Sequence, residues 1–222
     1  MSTLDPLFRQ SLFIAGTDTG VGKTWVATRL LQALVTSGFR AAGMKPVAAG
    51  AISTPAGMRN DDALALAAAG NVVLPYETVN PYCLQQATSP HLAARNAGVS
   101  IDIGVIAKAY GLIASSSDLV VVEGAGGWLA PVGDPPRSGS TGPTMADVAA
   151  ALALPVLLVV GLKLGCISHA LLTADAILAR GLVLTGWIAN PIDPGFLAGT
   201  SEHAAYVGAL EIRLPAPRLQ LP

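Results

Sequence analysis

The sequence predicts an α/β fold in which a mostly parallel sheet carries helices on both faces. Short β-rich apolar runs alternate with Ala-rich helical stretches, a pattern that implies parallel strands joined by helical crossovers. A Gly-rich loop follows the first run, where a helix is expected to begin. Apolar residues make up 52% of the 222 residues and charged residues 12%, enough to bury such a sheet on both sides. This length suits one domain, expected to span 1–222.

The expected strands are, in order, Leu12 to Ala15, Ala42 to Lys45, Leu119 to Val122, Val156 to Val160 and Leu184 to Ala189. Sheets of this kind bind ligands at the carboxyl ends of their strands. The candidate segments are therefore Gly16 to Thr24, Lys45 to Gly50, Glu123 to Gly127, Gly161 to Ser168, and Asn190. The longest apolar run, Val148 to Leu162, is too short to cross a bilayer and is broken by Pro155, so it reads as a helix end followed by a buried strand. The segment Gly133 to Pro143, "GDPPRSGSTGP", reads as a mobile surface insertion between strand and helix.

So few charges imply a surface that is small, neutral or covered by another subunit, and an oligomer is expected. A net charge of -1 gives no electrostatic footprint for nucleic acid or an anionic membrane. Cys83 and Cys166 lack metal-type spacing and suit a reducing cytosol. The N-terminus, MSTLDPLFRQ, has no signal pattern, so a cytoplasmic location is expected.

The loop "AGTDTGVGKT", residues 15 to 24, departs by one residue from the phosphate-binding pattern G-x-x-x-x-G-K-[ST]: Thr17 stands where the first glycine belongs, and Gly16 comes one position early. The extra residue leaves the essential groups in place. Amides of Gly20, Val21 and Gly22 and the following helix N-terminus can face phosphates, with Lys23 on the terminal phosphates and Thr24 on Mg²⁺. These features predict a P-loop NTPase. "LVVVEGAGG", residues 119 to 127, delivers Glu123 to the end of an apolar strand as a second Mg²⁺ ligand, beside glycines that let a ligand approach the backbone. Asp61 and Asp62 start a helix, where either caps it or reaches the metal, and the residues alone do not choose between them. Lys45, at the end of an apolar strand before Pro46, should point into the same cleft and stabilise a transferring phosphoryl group. His91, His169 and His203 share no spacing and read as packing or surface residues, while Trp25, Trp128 and Trp187 read as core or interface aromatics.

With Thr17-Asp18-Thr19, Lys45-Pro46-Val47, Glu123-Gly124-Ala125-Gly126-Gly127, "GLKLGCISHALLTA" and "GWIAN", the chain resembles the dethiobiotin synthetase family from about Phe13 to Pro217. The last two motifs are the most specific, because generic P-loop proteins lack them. That family's loop is G-x-x-x-x-x-G-K-T, which accounts for the early glycine. The resemblance implies ATP-dependent carboxylation and ring closure of 7,8-diaminononanoate with CO₂, through a phosphorylated carbamate, to dethiobiotin, ADP and phosphate. It places Lys23 on the phosphates, Thr24, Asp62 and Glu123 at Mg²⁺, and Thr19 and Lys45 at the carbamate. It implies nucleotide contacts from Trp25, Gly124, Ala125 and Gly126, with Asn190 and Pro191 at the base. It also implies a homodimer in which Gly165, Cys166, Ser168 and Tyr206 of the neighbouring subunit wall the substrate's carboxylate tail. Ala49, close to the diamine, departs from the family's frequent serine or threonine; Gly20 replaces an acidic residue, Ser168 an asparagine. Many members continue beyond the position of Pro222 with a segment that helps enclose the base, so weak discrimination among nucleoside triphosphates is expected.

Two other classes share this type of domain. Partition and cell-division ATPases carry a lysine early in the loop, at the position of Thr17. Glutamine-dependent amidoligases need a glutaminase domain, for which no length remains after Leu210.

Overall fold

The computed structural model describes residues 5–221. The expectation drawn from the extreme N-terminus therefore lies partly outside the described residues, as does Pro222.

Five parallel strands form the central sheet: β1 (Leu12–Gly16), β2 (Ala41–Met44), β3 (Leu119–Glu123), β4 (Val156–Leu162) and β5 (Leu184–Pro191), in the order β2-β3-β1-β4-β5. All five expected strands are present, with ends shifted by one or two residues. Lys45 lies just outside β2, because Pro46 has no N–H with which to continue the ladder. Register pairs Ile14 with Glu123 and Gly16 with Val159, bringing the ends of β1, β3 and β4 to one rim.

Side chains alternate across the strands, so each buried strand feeds two cores. Leu12, Ile14, Val121, Leu157 and Val159 pack on one face against α1 (Lys23–Thr36) and α2 (Asp61–Ala69), through Val26, Leu30, Leu34 and Leu66. Phe13, Val120, Val122, Leu158 and Val160 face the other core. There they meet α5 (Ile103–Ala114), α6 (Met145–Leu152), α7 (Cys166–Ala179) and α8 (Ser201–Arg213), after the short α3 (Tyr76–Val79) and α4 (Pro90–Asn96). Each fully buried leucine of α1 contributes about 2 kcal/mol to this packing. Two small ribbons, Val47–Ala49 with Tyr82–Leu84 and Ile52–Thr54 with Gly57–Arg59, stand apart from the central sheet.

The run Val148 to Leu162 resolves as expected into the end of α6 and the buried strand β4. Trp128 and Trp187 are core residues, whereas Trp25 is half exposed, with Arg29 stacked over its ring at 5.6 Å. Among the described residues no helix is long and apolar enough to cross a membrane. The chain's last segment returns to the sheet edge: Trp187 N–H donates to Pro217 O at 3.0 Å, and Leu219 N–H to Trp187 O at 2.8 Å.

A capping box fixes the start of α6. Asp147 accepts from the backbone N–H and hydroxyl of Thr144, at 2.7 and 2.8 Å, and pairs with Arg180. Partial burial works against its charge, but the Arg180 and Thr144 hydrogen bonds outweigh it and hold the carboxyl below its ordinary value. A depressed folded-state pKa gives stability that is complete above about pH 4 and lost as pH falls through the folded value. Asp147→Asn should cost about 1 kcal/mol at pH 7, with a gap to wild type that narrows below pH 4 in urea unfolding. A gap of constant size across that range would assign the loss to something other than the carboxylate's charge.

Candidate active site

The phosphate loop leaves β1 at Gly16 and enters α1 at Lys23. A Cβ at Gly16 would lie 2.8 Å from Val21 Cγ2 and 2.9 Å from Lys23 Nζ, so the loop folds back on this position and the glycine falls here rather than at Thr17. Gly22 caps α1 with φ 89°, and a side chain there would collide with Asn190. Asn190 Nδ2 donates to Val21 O at 2.8 Å, tying the end of β5 to the loop.

Lys23 is buried and donates from Nζ to the carbonyl of Asp18 at 2.9 Å, a contact that holds the ammonium inside the loop. Burial, reinforced by the nearby Lys45 charge, pulls its pKa down to about 8. Thr24 Oγ1 lies 2.8 Å from Asp62 Oδ1 and 2.9 Å from Glu123 Oε1. Its single hydroxyl proton cannot serve both carboxylates fully.

Lys45 Nζ reaches the same pair, 2.6 Å from Glu123 Oε1 and 2.8 Å from Asp62 Oδ2. Burial opposes its charge, but Glu123 and Asp62 outweigh that and raise its pKa above the lysine range. Glu123 is pushed up by burial, which Lys45 only partly offsets. Asp62, more open to solvent, is held below its ordinary value because Lys45 and Thr24 overcome its partial burial. Asp61, next to it, is exposed and lines neither of the two cavities that adjoin this cluster, and Asn60 rather than either aspartate caps α2, accepting from Ala63 N–H at 3.3 Å. The structure thus brings Asp62, and not Asp61, to Thr24 and Lys45.

These residues fit a divalent cation. Glu123 Oε2 is buried without a hydrogen-bond partner, beside a hydroxyl and a second carboxylate. Among the described residues no group of three or more His, Cys, Asp or Glu gathers. Two carboxylates and one hydroxyl are the sparse donor set that suits Mg²⁺, which keeps waters and phosphates as its remaining ligands.

Two cavities adjoin here. One of about 250 Å³ lies over the loop, lined by Gly20, Gly22, Lys23, Thr24 and Glu123. The other, of about 500 Å³, is lined by Ala49, Asn60, Ser89, Pro90 and Ala125. Thr19, Lys45, Asp62 and Gly126 line both, so one cation faces both compartments. A third cavity, of about 300 Å³, lies between Trp25, Ala189 and the tail residues Arg218, Leu219 and Leu221. Gly124 lines none of these cavities and donates its N–H to Ile14 O at 3.1 Å, and Pro191 ends β5 half-buried beside Asn190.

Gly165, Cys166, Ser168 and Tyr206 are not brought to the Lys45 cavity of their own chain. Gly165 and Ser168 are exposed at the start of α7, Cys166 is buried in the core, and Tyr206 is half-buried, edge-on to Phe196 at 4.8 Å between ring centres. Lys163, inside the candidate segment Gly161 to Ser168 but given no role of its own there, pairs with Asp18 of the loop at 3.1 Å. Its signal was the same as that of Lys45, a lysine at the carboxyl end of a strand. Asn60, which lines the larger cavity, was not singled out, because nothing in its local pattern marks it.

A family model described as an AAA domain matches residues 10–207. The ATP-dependent dethiobiotin synthetase BioD of Vibrio vulnificus (strain YJ016) is 48% identical over 210 residues, covering 95% of this chain and 88% of that protein. Its counterpart in Janthinobacterium sp. (strain Marseille) is 50% identical over 211 residues, covering 93% and 85%. Among solved structures, the MinC:MinD cell division protein complex of Aquifex aeolicus aligns with a TM-score of 0.54 at 16% identity, over 94% of this chain and 79% of that one, a likeness of fold alone. With an off-register phosphate loop and relatives matched over nearly their whole length, the chain belongs to the ATP-dependent dethiobiotin synthetase family.

Proposed function

We propose that this chain, as one domain, closes the cyclic urea of dethiobiotin from 7,8-diaminononanoate, CO₂ and ATP, acting in the cytoplasm as a homodimer. The single observation that carries this reading is the pair of adjoining cavities sharing Thr19, Lys45, Asp62 and Gly126. A nucleotide's terminal phosphate over the loop and a small diamine beside it would meet at Lys45.

One amine adds to CO₂ and loses a proton, giving a carbamate. A carbamate oxygen takes the γ-phosphoryl group and ADP leaves. The second amine then attacks the carbonyl carbon and loses a proton, expelling phosphate and closing the ring. Lys23 and the amides of Gly20, Val21 and Gly22 would hold the phosphates in line. Lys45 and Thr19 would hold the carbamate, and the Lys45 ammonium would offset charge that builds on the transferring group. Bound Mg²⁺, held by Thr24, Asp62 and Glu123, would supply Lewis-acid neutralisation of the phosphate oxygens. Trp25, Asn190, Pro191 and the backbone at Gly124, Ala125 and Gly126 would carry the remaining nucleotide contacts.

Gly165, Cys166, Ser168 and Tyr206 would serve a second copy of the chain. Gly165 and Ser168 are exposed beside Leu164 and Leu172, themselves 79% and 67% exposed, which supports a surface that another subunit covers. Mixing the protein with MgATP, bicarbonate and 7,8-diaminononanoate should yield dethiobiotin by mass spectrometry with one ADP per product. ADP release without dethiobiotin would defeat the proposal.

Ala49 lines the larger cavity near Lys45. Ala49→Ser should add a hydrogen bond of about 1 kcal/mol and lower KM for the diamine several-fold, leaving KM for ATP unchanged. A raised or unchanged diamine KM would mean that the Ala49 edge does not face the substrate. The wall made by Arg218, Leu219 and Leu221 lies beside Asn190's strand, so kcat/KM for ATP, CTP, GTP and UTP measures how far it encloses a base. Values within about tenfold of one another, some 1.4 kcal/mol, meet the expectation of weak discrimination.

A further inference from the structure

Asn80 is among the few polar side chains buried in this protein, only 2% exposed, and it belongs to no cavity described above. Its amide is fully engaged. Nδ2 donates to Lys45 O at 2.7 Å and to Tyr82 O at 3.3 Å, and Oδ1 accepts from the Tyr76 hydroxyl at 3.1 Å. The Tyr76 oxygen accepts in turn from Asn60 N–H at 2.8 Å. Tyr76 has one proton and gives it to Asn80, so the Cys83 thiol, 3.4 Å away, is the donor in that contact. Arg59 stacks on the ring at 4.1 Å, and Lys45 N–H donates to Val79 O at 2.9 Å.

This chain of bonds has two ends, and both are in the active site. One is the main chain of Lys45, which has left β2 and has Pro46 after it, so residues 79 and 80 hold its N–H and its C=O in place of a strand. The other is Asn60, whose side chain caps α2 and whose backbone leads through Asp61 to Asp62. The ion pair between Lys45 and Asp62, 2.8 Å, therefore joins the two ends of one network and closes it into a ring.

We propose that Asn80 and Tyr76 are positioning residues, which together set the distance between the Lys45 ammonium and the Asp62 carboxylate without touching substrate. The inference rests on the ring closure proposed above. Removing either residue should leave the phosphate loop intact but let Lys45 and Asp62 drift, and a displacement on the order of 1 Å in such groups can cost up to about 10²-fold in rate.

The test is a double-mutant cycle in the full chain, with kcat expressed per folded site. Tyr76→Phe keeps the ring under Arg59 and should lower kcat about five- to tenfold, and Asn80→Ala about tenfold or more, each raising KM for ATP by a smaller factor than kcat falls. The double variant should be no slower than Asn80→Ala, because one network is lost only once. Asn71→Ala is the control: Asn71 clamps the other end of β2, accepting from Ala41 N–H at 2.9 Å, and should lower Tm while leaving kcat unchanged. Single losses that multiply in the double variant, or a control that slows turnover equally, would overturn the inference. Should Asn80→Ala not fold, Tyr76→Phe alone decides, an unchanged kcat overturning it. Wild-type protein that makes no dethiobiotin would defeat the proposed function instead. The inference then stands or falls on Mn²⁺ titration in the presence of ADP, where weaker binding by both variants supports it and equal affinity overturns it.

Discussion

Lys23→Ala should abolish turnover, lowering kcat/KM by about 10³-fold or more, in a protein that folds normally. The two halves of this expectation have separate physical grounds. In the free protein the Lys23 ammonium sits buried against the Asp18 carbonyl, where burial pulls its pKa down to about 8. That charge is therefore a burden on the folded state. α1 is anchored without it by Val26, Ala27, Leu30, Leu31 and Leu34 on the sheet. Tm should therefore hold or rise. Catalysis has no such substitute, since Lys23 is the cation enclosed by the phosphate loop itself. Measuring kcat/KM alongside thermal unfolding checks both halves. Near-normal rates in the folded variant would remove Lys23 from the transferring phosphate.

Lys45→Gln should lower kcat by about 10²-fold with little change in ATP affinity, because in the proposed ring closure its charge would act as charge develops rather than hold the nucleotide. The same substitution should also destabilise the free protein. Lys45 is the ammonium between Glu123 and Asp62, and removing one partner of a buried pair leaves an uncompensated charge. The expected loss is about 3 kcal/mol, at the low end for buried pairs because Asp62 is partly open to solvent. Adding Mg²⁺ should restore more stability to the variant than to wild type, since a divalent cation can replace the missing charge between the carboxylates. Thermal shifts with and without Mg²⁺ read this directly. Lost ATP binding with persistent turnover of bound substrate would give Lys45 a different role.

Much of the site was legible because it depends on local order. A buried strand followed by a glycine loop and Gly-Lys-Thr specifies a phosphate cradle whatever lies around it, and its early glycine is explained by the return of Val21 and Lys23 over position 16. Glu123 and Lys45 were readable for a related reason: an apolar run that ends in a charged residue delivers it to the rim of a parallel sheet. Asp62 was not separable from Asp61 in this way. Neighbours on a helix point about 100° apart, and only the placement of α2 against α1 and β2 turns one toward Thr24. Family resemblance singled out Asp62 where periodicity could not, and Asp62 is the one that lies beside Thr24 and Lys45.

By itself the sequence determined the five strands, the phosphate loop, the carboxyl-end residues and the family, since each is written in contiguous patterns of a few residues. Only the tertiary structure decided how those parts are wired. Lys45 meets Glu123 across 78 positions, Thr24 meets Glu123 across 99, and Lys163 meets Asp18 across 145. Asn80 and Tyr76, which leave no motif, prove to link Lys45 to the start of α2. The reason is physical: a strand or a loop is selected by its own residues, whereas the distance between two charges on different strands is fixed by sheet order, register and the buried hydrogen bonds between them.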